Sequence, residues 1–338
     1  MIRIAVGATD FSDTTLKRLT QLGVDCIDAH VDDDVPGVRE RGYPDLDALV
    51  KITSKIRSWG LELNRCSLPA VTELFLTDQE GGEEEVERAV QALRVYAEAG
   101  FPIIRPALMG DQFNHLARFT ESVHRGGYKT RGLSMNQPAG HDFTEEKAQR
   151  FSWWPRVMGT EHPSPEQLTD WWAHFCRLYE RLVPEAEERG VKLAMHPSDI
   201  PLPDTPFGSL GYHRIIDAFP SRSVGYLYCC GTRAEAGGMP LLLDEIHNYG
   251  RKGRIFMVHL RNPRGTFPIT GAFEEALLDD GDGDMFTILK ALEDVGFDGC
   301  VNPDHYYPIE GDSATDKEQS LAYAVGHLKG LLAALDVV

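Results

Sequence analysis

Short apolar runs rich in β-branched residues alternate along the chain with longer stretches whose apolar residues recur every three or four positions. The short runs fall at residues 2–6, 26–30, 61–66, 102–108, 192–196, 224–230, 255–260 and 300–304. Each is bounded by Gly, Pro, Asp or a charged turn, as strands are. Their near-continuous apolarity suits a parallel sheet covered on both faces. The longer stretches predict helices at 13–22, 46–59, 84–99, 166–189, 212–219, 241–249, 285–295 and 317–335. Gly60, Gly100, Gly190 and Gly296 stand where four of these stop. Glycine takes the left-handed C-cap conformation at little cost.

Eight βα units in strict alternation predict an α/β fold, a (β/α)8 barrel. A doubly wound open sheet is the alternative, but no glycine-rich phosphate loop follows any strand. A barrel of this kind needs about 250 residues. Most of the surplus lies at 110–165, between the fourth strand and the fourth long helix, and includes Trp153 and Trp154. We read it as a cap over the barrel mouth. A second surplus lies at 263–284. With no internal repeat and no low-complexity linker, residues 1–338 form one expected domain.

Charge narrows the partners. The chain has 34 Lys plus Arg against 52 Asp plus Glu, a formal net charge of −18. Nucleic acid and anionic membrane surfaces both require a basic footprint, so neither is an expected partner. A small anion needs only a local positive feature and stays admissible. No apolar run approaches the roughly 18 residues of a membrane helix, and the N-terminus reads as a first strand, not a leader. The six cysteines are scattered through apolar segments, which suits reduced thiols and a cytoplasmic location.

Active sites of (β/α)8 barrels lie at the C-terminal ends of the strands. Strands five to eight end in His196, Cys229, His259 and Asp304, spaced 33, 30 and 45 residues apart. That is about one βα unit each, so the four side chains become spatial neighbours. Singly, each has an ordinary reading: a rim histidine, a packed cysteine, a capping aspartate. Together, imidazole, thiolate and carboxylate at four adjacent strand ends predict a site for a divalent first-row metal. Cys230 competes with Cys229, but neighbouring strand residues face opposite ways, so only one is expected to bind. The soft thiolate points to Fe²⁺ or Zn²⁺. His30 and Arg105, at the ends of strands two and four, face the same mouth and are candidate substrate-binding residues. Arg261 and Asn262 follow a ligand directly and are candidates for orienting substrate oxygens, with an inward ion pair as the other role for Arg261. Asp199 is placed to orient a ligand histidine. His115, His124 and His174 belong to no constellation and read as surface or structural residues.

The pieces His196-Pro197-Ser198-Asp199, Cys229-Cys230-Gly231-Thr232, His259-Leu260-Arg261-Asn262 and Pro303-Asp304-His305 resemble the mannonate dehydratases of the xylose-isomerase-like TIM-barrel group. So does the helix through Val325-Gly326-His327-Leu328-Lys329-Gly330-Leu331. The resemblance covers about residues 192–335 and is architectural before that. It implies that His196, Cys229, His259 and Asp304 hold the metal, usually Mn²⁺, and that His305 serves in acid–base catalysis. The chain departs from the family pattern at Ser198, Asn302 and Tyr306. Ala322 stands where the family carries a catalytic tyrosine, so Tyr323 or Tyr306 is the expected phenolic partner.

The implied function is a metal-dependent hydro-lyase of carbohydrate metabolism. It would convert D-mannonate or a related sugar acid to a 2-keto-3-deoxy acid plus water. A sugar isomerase or epimerase on the same barrel, and a catalytically silent sugar-binding relative, are the alternatives. Barrel enzymes of this group often assemble, so a homo-oligomer is expected.

Overall fold

A computed structural model of the chain describes residues 1–108, 118–136, 164–198, 201, 207, 208, 210–313, 316–335 and 337. Eleven strands lie among them: β1 (Arg3–Ala8), β2 (Cys26–Ala29), β3 (Glu62–Ser67), β4 (Ile103–Arg105), β5 (Arg118–Val123), β6 (Lys129–Ser134), β7 (Lys192–Met195), β8 (Val224–Cys229), β9 (Ile255–His259), β10 (Ala272–Glu274) and β11 (Cys300–Asn302). Eight of these close into a parallel barrel in the order β1–β2–β3–β4–β7–β8–β9–β11. The closing contact pairs Arg3 with Cys300 and Ile4 with Val301. That closure excludes the open doubly wound sheet.

Each of the eight predicted runs overlaps one barrel strand. The run at 102–108 shortens to three residues, because Pro106 has no N–H to give the ladder. The last run stops at Asn302 before Pro303 for the same reason. Helices follow the strands much as the apolar spacing predicts. Asp13–Leu22 is capped by Ser12, whose side chain accepts from Thr15 N. Pro165–Arg189 opens with a Ser164–Gln167 capping box and ends at Gly190 in the left-handed conformation. Two predictions needed correction. The segment 212–219 forms two short turns, Leu210–His213 and Ile215–Ala218. The helix expected at 241–249 begins much earlier and runs Cys230–Arg251, broken at Gly238 ahead of Pro240.

The largest difference lies in the surplus segments, where no strands were expected. β5 and β6 form a hairpin, and β10 pairs antiparallel with β6, matching Phe273 to Leu133. The two surplus segments therefore meet in one small sheet. Gly132 permits the approach: a Cβ there would sit 2.3 Å from the Phe273 carbonyl oxygen. Trp153, Trp154, Asp199 and His115 lie outside the described residues. All six cysteines are free. No helix among the described residues is long and apolar enough to cross a membrane.

Candidate metal centre

The barrel brings His196, Cys229 and His259 together, with one potential ligand atom from each lying within 4.8 Å of the others. The side chains arrive there because their strands are neighbours in register, Cys229 pairing directly with His259. Asp304 completes the cluster from the adjacent β11 end, its Oδ2 3.1 Å from His259 Nδ1. Its backbone takes a left-handed φ of 54°, uncommon for a residue with a side chain. Its N–H donates to Asn302 Oδ1 at 2.7 Å, which steadies that turn.

The donor set fits a metal. Neither ring nitrogen of the buried His259 has a hydrogen-bond partner among the described residues, the Asp304 contact lacking hydrogen-bond alignment. A buried polar atom left in that state costs free energy that a ligand would recover. His196 Nδ1 lies 2.6 Å from the Pro197 carbonyl; donation there fixes the tautomer and puts the lone pair on Nε2. Burial, then the charge of Arg105, holds His196 well below the usual histidine range. Burial likewise lowers His259, against the pull of Asp304. Both rings are thus neutral near pH 7, the form that binds metals. Cys229 sits at the N-cap of the Cys230–Arg251 helix, and its Sγ accepts from Thr232 N and Thr232 Oγ1 at 3.5 and 3.2 Å. Burial pushes the Cys229 thiol up to about 11 despite the charge of Arg261, so a thiolate there would depend on a bound cation. Cys230 points into the apolar core, away from the cluster.

Behind the cluster lies an ion network, whose carboxylates Glu235 and Glu275 the sequence did not reveal. Arg261 is buried and donates to Glu235 Oε1 at 2.7 Å, to Glu275, to Thr232 Oγ1 at 3.3 Å and to Cys229 Sγ at 3.6 Å. Gly231 makes the room, since a Cβ there would fall 2.6 Å from Arg261 Cβ. Burial alone would raise the Glu275 carboxyl, but Arg261 and then His305 overcome it and hold it at about 2. Glu275 Oε1 also meets His305 Nδ1 at 2.7 Å, while His305 Nε2 faces Asp304 Oδ2 at 3.4 Å. Arg261 thus takes the inward ion-pair role, not that of orienting substrate. Replacing Arg261 with Met should lower stability by roughly 3–5 kcal/mol, because two buried carboxylates lose their counter-ion. Equilibrium urea unfolding checks this, and a change under about 1 kcal/mol would contradict it.

Asn262 is likewise committed to the protein. It donates to the carbonyls of Leu278 and Gly283 at 2.6 and 3.1 Å, and accepts from Gly283 N at 2.8 Å. It clamps the second surplus loop and has no donor left to turn toward a substrate. Tyr323 is also displaced from its expected place. Its hydroxyl meets Arg125 at 3.4 Å and bonds Asp279, in a pocket of about 620 Å³ shared with Tyr128 and Ile309 but not with the metal cluster. Tyr306, by contrast, lines the same spaces as Asp304 and His259. His124 and His174 are buried and fall outside the cluster.

Two spaces open over the cluster. An outer pocket of about 890 Å³ is lined by Asp10, Arg18, Arg131, His305, Tyr306 and Lys317, among others. An inner one of about 260 Å³ is lined by His30, Arg65, Arg105, His259, Asp304 and Tyr306, among others. His30 and Arg105 therefore do face the mouth. Burial and then the charge of Arg65 push His30 down to about 4. Arg65 was not anticipated, although a charged residue inside the apolar run Leu63-Asn64-Arg65-Cys66 was a signal of buried polar function. Glu275 and Glu235 offered no such signal, since one lies in a surplus loop and the other on a helix.

Comparison with known proteins agrees with this geometry. Residues 164–338 match the family described as D-mannonate dehydratase (UxuA). Mannonate dehydratase 2 of Halalkalibacterium halodurans is 32% identical over 150 residues, which cover 42% of this chain and 43% of that protein. Mannonate dehydratase of Thermotoga petrophila is 32% identical over 166 residues, covering 46% and 45%. The chain thus spans less than half the length of the curated relatives it matches. In structure, the mannonate dehydratase from Streptococcus suis serotype 2 superimposes with a TM-score of 0.79 at 22% identity, covering 98% of this chain and 94% of that one. The match begins at the capping box of the Pro165–Arg189 helix and takes in the strand ends that carry His196, Cys229, His259 and Asp304, and over that half the chain belongs to the D-mannonate dehydratase family.

Proposed function

We propose that this protein is a metal-dependent dehydratase of D-mannonate or a closely related aldonate, releasing a 2-keto-3-deoxy acid and water. The observation that carries this reading is the convergence of His196, Cys229 and His259, with Asp304 against them, inside the half of the chain that matches the family. These four residues would hold a divalent cation. Mn²⁺ fits the family, and the thiolate also admits Fe²⁺ or Zn²⁺. The bound cation would supply Lewis acidity to the negative charge that develops on the substrate carboxylate.

The chain's own groups handle the protons. Dehydration removes the hydrogen on the carbon beside the carboxylate and protonates the hydroxyl that departs from the next carbon. His305 is the group we assign to proton transfer: Glu275 fixes its Nδ1, which directs Nε2 toward Asp304 and the pocket. Tyr306 is the phenol placed to assist, because it lines both spaces over the cluster and Tyr323 lines neither. Burial, then Asp304, raises the Tyr306 hydroxyl, so it stays protonated and available as a donor. The enol left after water departs becomes the 2-keto acid by taking one proton at carbon 3 and giving up the proton of its carbon-2 hydroxyl.

The direct test is incubation of the Mn²⁺-loaded protein with a panel of aldonic acids, followed by assay for 2-keto-3-deoxy products. Product from D-mannonate or an epimer is expected. A panel with no product overturns dehydration. Hydrogen exchange beside a carbonyl without loss of mass would show isomerase or epimerase chemistry instead.

A further inference from the structure

The inner pocket carries an arginine that neither the metal cluster nor the proton-transfer groups use. Arg65 lies on β3 and is 2% exposed, yet it lines the inner pocket beside His259, Asp304 and Tyr306. Its nearest counter-charge is Asp28, on the neighbouring strand and fully buried. The two Asp28 oxygens also accept from Asn64 Nδ2 and Asn302 Nδ2, each at 2.6 Å. Arg65 Nε stands 3.8 Å from Asp28 Oδ2, close enough for ionic attraction but too far for a hydrogen bond. That Nε is buried with no partner among the described residues. Nη1 is held by Ser67 Oγ at 2.7 Å, which fixes the guanidinium plane. The guanidinium is therefore held on one side by Asp28 and Ser67 while the residue borders the open space of the inner pocket. Arg105 adds a second positive charge to the same wall.

We propose that Arg65 binds the carboxylate of the substrate in this inner pocket and sets the preference of the site for sugar acids over neutral sugars. Guanidinium and carboxylate match in plane and spacing, so the pair forms charge-assisted hydrogen bonds that a neutral amide or hydroxymethyl group cannot reproduce. The position is also chemically apt. An acid held by Arg65 lies beside the metal cluster, where charge on its oxygens needs stabilising. A chain of net charge −18 can admit an anion here because buried Arg65 and half-buried Arg105 make one wall of the pocket locally positive. This role of Arg65 deepens the dehydratase reading and rests on it for the identity of the acid.

The test compares D-mannonate with D-mannonamide, its neutral counterpart, by calorimetric titration of the Mn²⁺-loaded protein. A His305→Asn background prevents turnover of the ligand. With Arg65 intact, the acid should bind at least about tenfold more tightly than the amide. Arg65→Gln should abolish that ratio, and Arg65→Lys should keep only part of it, since Lys cannot form the planar pair. A purely structural arginine would weaken both ligands together and leave the ratio unchanged. That result overturns the proposal, as does equal affinity for acid and amide with Arg65 intact. If Arg65→Gln does not fold, as judged by circular dichroism, the Lys variant and the acid-to-amide ratio decide the matter. Tighter, Arg65-dependent binding of mannose 6-phosphate would assign the pocket to a phosphate and overturn the carboxylate. Arg65-dependent binding of mannonate with no keto-acid product from the wild type would sink dehydration while this inference stands. Product formation with an unchanged acid-to-amide ratio would do the reverse.

Discussion

Cys229→Ala and Cys229→Ser are both expected to purify with less than about a tenth of the wild-type metal content and to show no dehydration. Cys229 performs two separable jobs. Cys229 supplies the only sulfur among the clustered ligand atoms. Loss of an outer-shell partner already costs about 10–100-fold in metal affinity, and loss of a ligand should cost at least as much. Cys229 is also the N-cap of the long helix Cys230–Arg251, accepting from Thr232. Alanine removes that cap, at about 1 kcal/mol, whereas a serine hydroxyl preserves it. Serine should therefore retain most of the thermal stability of the metal-free protein and still fail to hold metal. Elemental analysis of the two variants beside wild type, with melting curves in a chelator, reads both effects. Full metal content in either variant would remove Cys229 from the site.

The parts of this arrangement that were legible from the amino acids are those with a local cause. Strand and helix positions follow from apolar periodicity, and helix ends from Gly190 and similar glycines. The convergence of His196, Cys229, His259 and Asp304 was legible because a barrel turns one-unit spacing along the chain into adjacency at the mouth. What escaped depends mostly on contacts between distant parts of the chain. β5 and β6 pair with each other and then with β10, more than a hundred residues away. Glu275 earns its place only through Arg261 and His305, and nothing in its own neighbourhood marks it out. Arg261 and Asn262 illustrate the converse. Their position next to a ligand is plain in the sequence, but their direction is set by where Glu235, Glu275 and the 278–283 loop fall. Tyr323 is one residue from the expected position on a helix, a rotation of about 100°, and its hydroxyl ends among Arg125 and Asp279 instead.

The other large effect is expected at His305. His305→Asn should lower kcat by about 10²–10⁴, the range typical of a lost general acid or base, with little change in KM or metal content. The geometry separates this residue from the ligands beside it. Its Nδ1 is engaged by Glu275 at 2.7 Å and its Nε2 lies 3.4 Å from Asp304 Oδ2, so the ring bridges the buried ion network and the pocket. Glu275 is in turn held ionised by Arg261, which gives the imidazole a fixed acceptor on one side and a fixed orientation on the other. An asparagine fills part of the space and keeps a polar group near Glu275, but it has no titratable nitrogen to carry a proton. Steady-state kinetics on D-mannonate, with metal analysis of the same preparation, measure the effect. A tenfold or greater loss of metal would mean that His305 is a ligand and not a proton carrier. A kcat within about threefold of wild type would pass the proton-transfer role to another group on the pocket wall, and Tyr306→Phe would then be the variant to show the loss, because its hydroxyl is the remaining titratable donor shared by both spaces above the cluster.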